Sequence, residues 1–275
     1  MMMSNVFSVT ELIDKYKQPF DRDFWSAYKA LEQLLSKEQW NIEKKSLLNT
    51  KRFDASILDV YSISKNDFNA TQQSILDAWE AKRVEGQTRG TFLHDSLYKQ
   101  ISNNKYDFSK LVEVHNPLTI QQSLDEAYGI YPEFPIQYSF MNIVIKGRPD
   151  LIIKNENELS IVDWKTDEKI EQKSGFNTAI KSNAKMLFPL NDIMDCNYFH
   201  YTMQLSLYAY ILEQLYPKLH VSNLMIVHFD PKGIQSLYRL DYMKEAVVRL
   251  LKYANKMYIH EVQKEKRKHI DYGDR

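Results

Sequence analysis

Apolar residues recur at helical spacing through the first third of the chain. Segments near 22–48, 71–85 and 89–102 carry the pattern, with Phe24, Tyr28, Leu31, Leu34 and Leu35 as its clearest stripe. A one-sided stripe of that period predicts amphipathic helices. Ser8-Val9-Thr10-Glu11 has the spacing of a capping box, in which the Ser hydroxyl and the Glu carboxylate each satisfy a free backbone N–H at a helix start. Asn103-Asn104, Pro117 and Pro132 mark 103–132 as loop or short irregular pieces.

From Glu133 the period changes. Residues 133–145, 148–154 and 159–165 are rich in Ile, Val, Phe and Tyr and are separated by Asn142 and by Asn155-Glu156-Asn157-Glu158, which predicts three consecutive antiparallel strands. A polar segment, 167–195, reads as a long loop with room for one helix. Residues 198–216 are apolar on most of a helical circumference, which implies a buried helix. Val221–Phe229 and Ser236–Leu240 predict two more strands, and 241–268 a closing helix ending in Lys264, Lys266, Arg267 and Lys268. One α/β domain with a helical N-terminal region is the simplest division.

Composition narrows the chemistry by subtraction. With 44% hydrophobic and 26% charged residues the chain is ordinary globular material, long enough to bury a core without staples. Its 7 glycines never stand two apart, so neither a GxGxxG dinucleotide loop nor a GxxxxGK[ST] phosphate loop exists. The single cysteine, Cys196, excludes internal disulfides and a four-cysteine iron-sulfur cluster and fits a reducing, cytoplasmic compartment. No His pair has HxxxH spacing, which removes zincin chemistry. Lys+Arg and Asp+Glu both number 36, so nothing pulls the whole chain toward a polyanion and any such site must be local. No signal pattern opens the chain, and no apolar run approaches the roughly 18 residues of a membrane span.

Candidate chemistry sits in one hairpin. Whether residues 155–158 form its loop or 156–157 a tighter two-residue turn, Lys154 faces Leu159 and Asp150 falls opposite Asp163, while Lys165 projects from the same face as Asp163 because strand side chains alternate. Opposed Cβ atoms lie ~4.5–5.5 Å apart, close enough for two carboxylates to grip one cation. Unneutralised, the two would repel and raise each other's pKa, and a hard divalent ion such as Mg²⁺ or Mn²⁺ resolves the conflict. Lys165 would then orient an attacking water or stabilise charge on a phosphorane. The alternative is an exposed hairpin with a cross-strand Asp–Lys contact and no chemistry.

Four motifs in order bear on that choice: Gly90-Thr91-Phe92-Leu93-His94, then Gly147-Arg148-Pro149-Asp150-Leu151-Ile152, then Asp163-Trp164-Lys165-Thr166, then Gln204-Leu205-Ser206-Leu207-Tyr208. Their order and content resemble the RecB-like branch of the PD-(D/E)XK nucleases. The resemblance implies a central mixed β-sheet flanked by helices, with residues 1–88 as a helical region packed on the core and 89–275 as the nuclease core. It also implies a metal site made by His94, Asp150, Asp163 and the Trp164 main-chain carbonyl, with Lys165, Gln204 and Tyr208 completing the catalytic set. Gln204 would help to hold the lysine and Tyr208 would lie near the substrate strand. The alternatives are a hydrogen-bonded His94 at a core edge and helix–helix hydrogen bonding by Gln204 and Tyr208. Gly90, one helical turn from His94, would let the helix approach the sheet. Glu133 stands where relatives often carry an acid, in a supporting or second-metal role.

Substrate contacts are a further layer of expectation. Arg148, Lys169, Lys173, Lys181 and Lys185 are placed to neutralise phosphates, or to be solvated. Tyr198, Phe199 and Tyr201 are placed to stack unpaired bases, or to join the core. Asp167 and Glu168 read as solvated, and Ser8-Val9-Thr10 resembles an N-terminal motif of some single-strand exonucleases in this branch. The resulting expectation is a Mg²⁺- or Mn²⁺-dependent DNA exonuclease acting on ends or single strands in replication, repair or recombination, with any helicase a separate partner and no membrane involved. A structure-specific endonuclease and a catalytically silent DNA-binding subunit are the rival readings.

Overall fold

Two residues of opposite habit decide how the N-terminal helices divide. Asp21 accepts from the Phe24 N–H at 2.9 Å and starts α2 (Arg22–Leu34). Leu35 then turns extended, and Ser36 with Gln39 forms a capping box that starts α3 (Lys37–Thr50). The apolar run 22–48 is therefore two helices, because the second box satisfies N–H groups that a continuous helix would not leave free. In the other direction, 71–85 and 89–102 fuse into one helix, α5 (Lys65–Ser102), with Gly86 and Gly90 inside it. Between them lies α4 (Ser56–Val60).

The computed structural model describes residues 5–113, 118–177 and 182–273, with the side chains of 176–177 and 266–273 set aside. Pro117, Lys181 and the side chains of Lys266, Arg267 and Lys268 thus lie outside the described residues. The chain divides into two units, one made of Met1–Gln18, Gly90–Gly175 and Asn183–Arg275, the other of Pro19–Arg89 and Phe176–Ser182. The second is helical. Its core joins Phe24, Leu31, Leu47, Leu58, Phe68 and Ile75, with Phe53 stacked on Phe68 at 4.9 Å.

The first unit carries the sheets. β1 (Val6–Ser8) runs into α1 (Val9–Asp14), where the Glu11 N–H donates to the Ser8 hydroxyl at 3.1 Å and the Ser8 N–H to the Glu11 carboxylate at 2.8 Å. The region read as one strand over 133–145 is a hairpin, β3 (Ile136–Phe140) and β4 (Ile143–Gly147), turned at Met141 in the left-handed region. It belongs to a separate sheet of order β1-β4-β3, with β1 parallel to β4. The larger sheet has the order β10-β9-β6-β5-β2 and comprises β2 (Tyr128–Pro132), β5 (Leu151–Asn155), β6 (Glu158–Lys165), β9 (His220–Phe229) and β10 (Gln235–Leu240). β2 lies in the stretch read as loop. Its Gly129 and Pro132 disguise it, and both are tolerated because β2 is an edge strand. Two-residue strands β7 (Phe176–Asn177) and β8 (Ser182–Asn183) form a minor ribbon. A 3-10 turn occupies Phe108–Lys110.

The hairpin register matches the spacing argument: Lys154 pairs with Leu159 and Leu151 with Val162, antiparallel, while β6 pairs with β9 in parallel and makes the sheet mixed. Both faces are covered. Ile152, Leu159, Ile161 and Ile226 meet α6 (Asn197–Leu215) and α7 (Lys244–Gly273) in one core. Leu151, Ile153, Val162 and Trp164 meet Leu97 and Ile101 of α5 in another. α6 is buried on all sides, as its apolar circumference requires. No helix among the described residues is long and apolar enough to cross a membrane.

Close approach of backbone selects Gly147 rather than Gly90. A methyl group at Gly147 would stand 2.4 Å from Cε1 of Tyr208 and 3.1 Å from Cγ2 of Val9, whereas one at Gly90 would stand 3.5 Å from Oγ1 of Thr166, an ordinary contact. Gly147→Ala is accordingly expected to cost about 1–3 kcal/mol by overpacking. Gly90→Ala, inside a helix, should be neutral or stabilising by up to about 1 kcal/mol. Urea unfolding of the two variants checks the contrast.

Candidate active site

Three acidic residues share one rung of the larger sheet. β2 pairs with β5 so that Pro132 meets Leu151, and one step further the Glu133 N–H donates to the Asp150 carbonyl at 3.0 Å. β5 pairs with β6 so that Leu151 meets Val162, one step further Asp150 faces Asp163, and the N–H of the following residue, Trp164, donates to Oδ2 of Asp150 at 2.7 Å. Glu133, Asp150 and Asp163 therefore line up across three strands. Glu133 sits at φ 51, where a left-handed turn ends its strand at the cost a non-glycine residue incurs there. The α5 helix brings His94 to the same end, with Nδ1 3.5 Å from Oδ1 of Asp150 and 3.9 Å from Oε1 of Glu133.

The charges on this rung are poorly matched. Burial, and then the Asp163 charge, push the Asp150 carboxyl well above the usual carboxylate range, against the pull of His94, Lys165 and the Trp164 N–H. Glu133 leads the groups that raise the His94 pKa, joined by Asp150 and Asp163, with burial and Lys165 opposing. Asp163 is 2% exposed and spends its Oδ2 on the Lys165 ammonium at 2.5 Å. Burial works against the lysine's charge, but Asp163 and Asp150 more than restore it, so Lys165 is held protonated.

The expected site residues are brought together in part. Among the described residues, ligand atoms of His94, Glu133 and Asp150 lie within 4.8 Å of one another. Glu133, read from sequence as a supporting acid, stands inside this cluster. The Trp164 ring points away, into the opposite core, 5.6 Å from Tyr106. Gln204 reaches the carboxylate and not the lysine: its Nε2 donates to Oδ1 of Asp163 at 3.4 Å and to the Tyr208 hydroxyl at 3.3 Å. Tyr208 is buried, its ring filling the space that Gly147 leaves. Burial, then the Asp163 charge, raise its pKa, so the hydroxyl stays protonated.

The expected phosphate and base contacts are dispersed. Lys169 pairs with Glu171, Lys185 donates to the Asp192 carbonyl at 3.0 Å, and Lys173 is exposed. Arg148 is 64% exposed and 3.8 Å from Glu133. Tyr198 and Phe199 contact one another edge-on at 5.2 Å and pack on the core. Tyr201 lies with its ring 4.5 Å from the Lys165 ammonium, and its hydroxyl donates to Asp167 at 2.7 Å. Asp167 is thus an acceptor in the site rather than a solvated surface group. Beside the rung, Thr10, Gln137, Lys146, Arg148 and Tyr208 line a cleft of about 490 Å³.

These residues fit a divalent cation. Three potential ligands converge, and burial with the Asp163 charge holds the Asp150 carboxyl well above the usual range in spite of His94 and Lys165, so added positive charge relieves repulsion that the protein alone does not. Asp150→Asn is expected to raise the thermal midpoint of the metal-free protein by roughly 2–4 °C, the equivalent of about 1 kcal/mol at this size. Mn²⁺ at a hundredfold excess over Kd should stabilise the wild type by about 2.7 kcal/mol, and the variant far less. Calorimetry with and without the ion reads both, and an equally responsive variant would remove Asp150 from the site.

No curated protein matches the chain. Among solved structures, the protein SSO0001 is similar at 15% identity and a TM-score of 0.37, over 94% of this chain and 78% of that one. A Eubacterium rectale protein named provisionally as an exonuclease is similar at 13% identity and a TM-score of 0.34, over 47% of this chain and 44% of that one. The family match is broader in what it establishes: residues 52–271, most of the chain and the whole carboxylate rung, fit the sequence model of the PD-(D/E)XK nucleases, and the chain belongs to that superfamily.

Proposed function

We propose that the chain is a RecB-like nuclease that hydrolyses DNA phosphodiester bonds from ends or on single strands, using Mg²⁺ or Mn²⁺. The observation that carries this reading is the rung itself, with Glu133, Asp150 and Asp163 side by side and Lys165 on Asp163. The superfamily uses divalent metals and nucleic acid. His94, Glu133 and Asp150 would hold the ion here, and a bound ion supplies polarisation of a phosphate oxygen and a more nucleophilic water. The rest is the work of the chain. Lys165, protonated and largely withdrawn from water, stabilises charge building on the phosphorane, where a preformed donor acts strongly. Gln204 fixes the Asp163 carboxylate on which that lysine rests.

The exonuclease assignment rests on the order of the GTFLH, GRPDLI, DWKT and QLSLY motifs. No phosphate loop is present in these 275 residues, so they supply no nucleotide-driven motor. Strand capture falls to Lys146 and Arg148 at the cleft beside the rung, since Lys169 and Lys185 are occupied within the protein.

Asp163→Asn and Lys165→Ala are each expected to abolish cleavage, a loss of at least about 100-fold for a group acting on transition-state charge, with the fold retained by circular dichroism. End-labelled linear and circular DNA, single- and double-stranded, and a matching RNA, digested with Mg²⁺ or Mn²⁺, test the substrate. Degradation of linear DNA with circles spared is expected. A circle cut as fast as the linear strand makes the enzyme an endonuclease, and variants with wild-type rates remove both residues from the chemistry.

A further inference from the structure

Lys165 has a second attachment that its ion pair does not explain. One contact with Asp163 leaves a four-methylene side chain free to swing about that carboxylate, and a lysine carries about 2 kcal/mol of rotamer entropy. The Tyr201 ring closes the other side, 4.5 Å from Nζ. That ring is itself tethered: its hydroxyl donates to Oδ2 of Asp167 at 2.7 Å, two residues beyond Lys165, and buried His228 of β9 is 2.8 Å, through Nε2, from the Asp167 carbonyl. Tyr201 precedes Gln204 by three positions on α6, one helical turn on the same face. One turn of α6 thus holds both ends of the Asp163–Lys165 pair, Gln204 the carboxylate and Tyr201 the ammonium.

We propose that Tyr201 and Asp167 are positioning residues for Lys165, the tyrosine ring acting as a cation–π support and the aspartate as the tether that keeps the ring in place. The proposal rests on the nuclease reading for its effect on rate, but not for its effect on the lysine. It assigns Tyr201 a role different from base stacking, because one contact of the ring is the ammonium and its hydroxyl is already engaged.

The test compares Tyr201→Phe, which keeps the ring, with Tyr201→Leu and Tyr201→Met, which remove it, and with Asp167→Ala. Single-turnover cleavage is measured beside affinity for a short single strand in Ca²⁺. A desolvated cation–π contact of about 2 kcal/mol corresponds to roughly 30-fold, so the ring-less variants should cleave about 10- to 30-fold more slowly at unchanged DNA affinity. Tyr201→Phe should stay within about threefold, and combining it with Asp167→Ala should add nothing beyond the worse single change.

Labelling of Lys165 by an amine-reactive ester, read by mass spectrometry, gives an outcome independent of activity. It should rise on the order of tenfold without the ring, from the same roughly 2 kcal/mol, and stay low in Tyr201→Phe. If the wild type cleaves nothing while labelling follows this pattern, the nuclease reading fails and the support stands. Lost affinity at an unchanged rate would establish base stacking and overturn the proposal, as would Tyr201→Phe behaving like the ring-less variants. Should the ring-less variants not fold, additive losses in the Tyr201→Phe/Asp167→Ala pair would overturn the tether and non-additive losses would support it.

Discussion

Crowding of like charge on one rung is the constraint from which the rest of this protein's architecture follows. Two strand registers align Glu133, Asp150 and Asp163 at the end of the larger sheet, and burial denies Asp150 and Asp163 the solvent that would separate their charges. The chain answers with local compensation: Lys165 from the same strand as Asp163, His94 from a helix, and the Trp164 N–H on Asp150. The compensation is incomplete, and that incompleteness makes the place suitable for a divalent ion.

Helix α6 has a matching role. Its burial on every side would make it an unremarked core element, yet Gln204, Tyr208 and Tyr201 project from it toward the rung and its lysine. Each polar tip there meets a partner, as buried polar groups must. The near contact of Tyr208 with Gly147 sets how closely the helix approaches the strand leading to Asp150, so packing and chemistry share the same residues.

Legibility of the sequence varied with how local the determining physics was. The hairpin register needed only an even-numbered turn and strand alternation to place Asp150 beside Asp163, and the turn proves to be the two-residue one at 156–157, with Asn155 paired to Glu158. Glu133 belongs to the same rung, but its supporting or second-metal role came from the resemblance alone, because the strand it ends carries Gly129 and Pro132 and looks like loop until the sheet partner is known. The capping box at Ser8 was visible, while the one at Ser36 was masked by apolar residues that kept helical phase across it. Tyr201 and Asp167 were invisible as a pair, since residues so far apart in sequence declare no contact, and spacing gave no sign that Lys169 meets Glu171 or that Lys185 meets the Asp192 carbonyl.

The rung is also assembled from unequally distant pieces of chain. Its three acids come from residues 133–163, a stretch whose strands meet through nearby connections, whereas His94 arrives from α5 and Gln204 from α6. Contacts close in sequence form with less loop-closure entropy than distant ones. Loop closure therefore favours a meeting of the acids ahead of the arrival of His94 and Gln204. An early meeting of that kind would put part of the electrostatic cost of the candidate site into the folding barrier, and refolding speed is then expected to respond to salt and to divalent ions before there is a finished pocket to receive them.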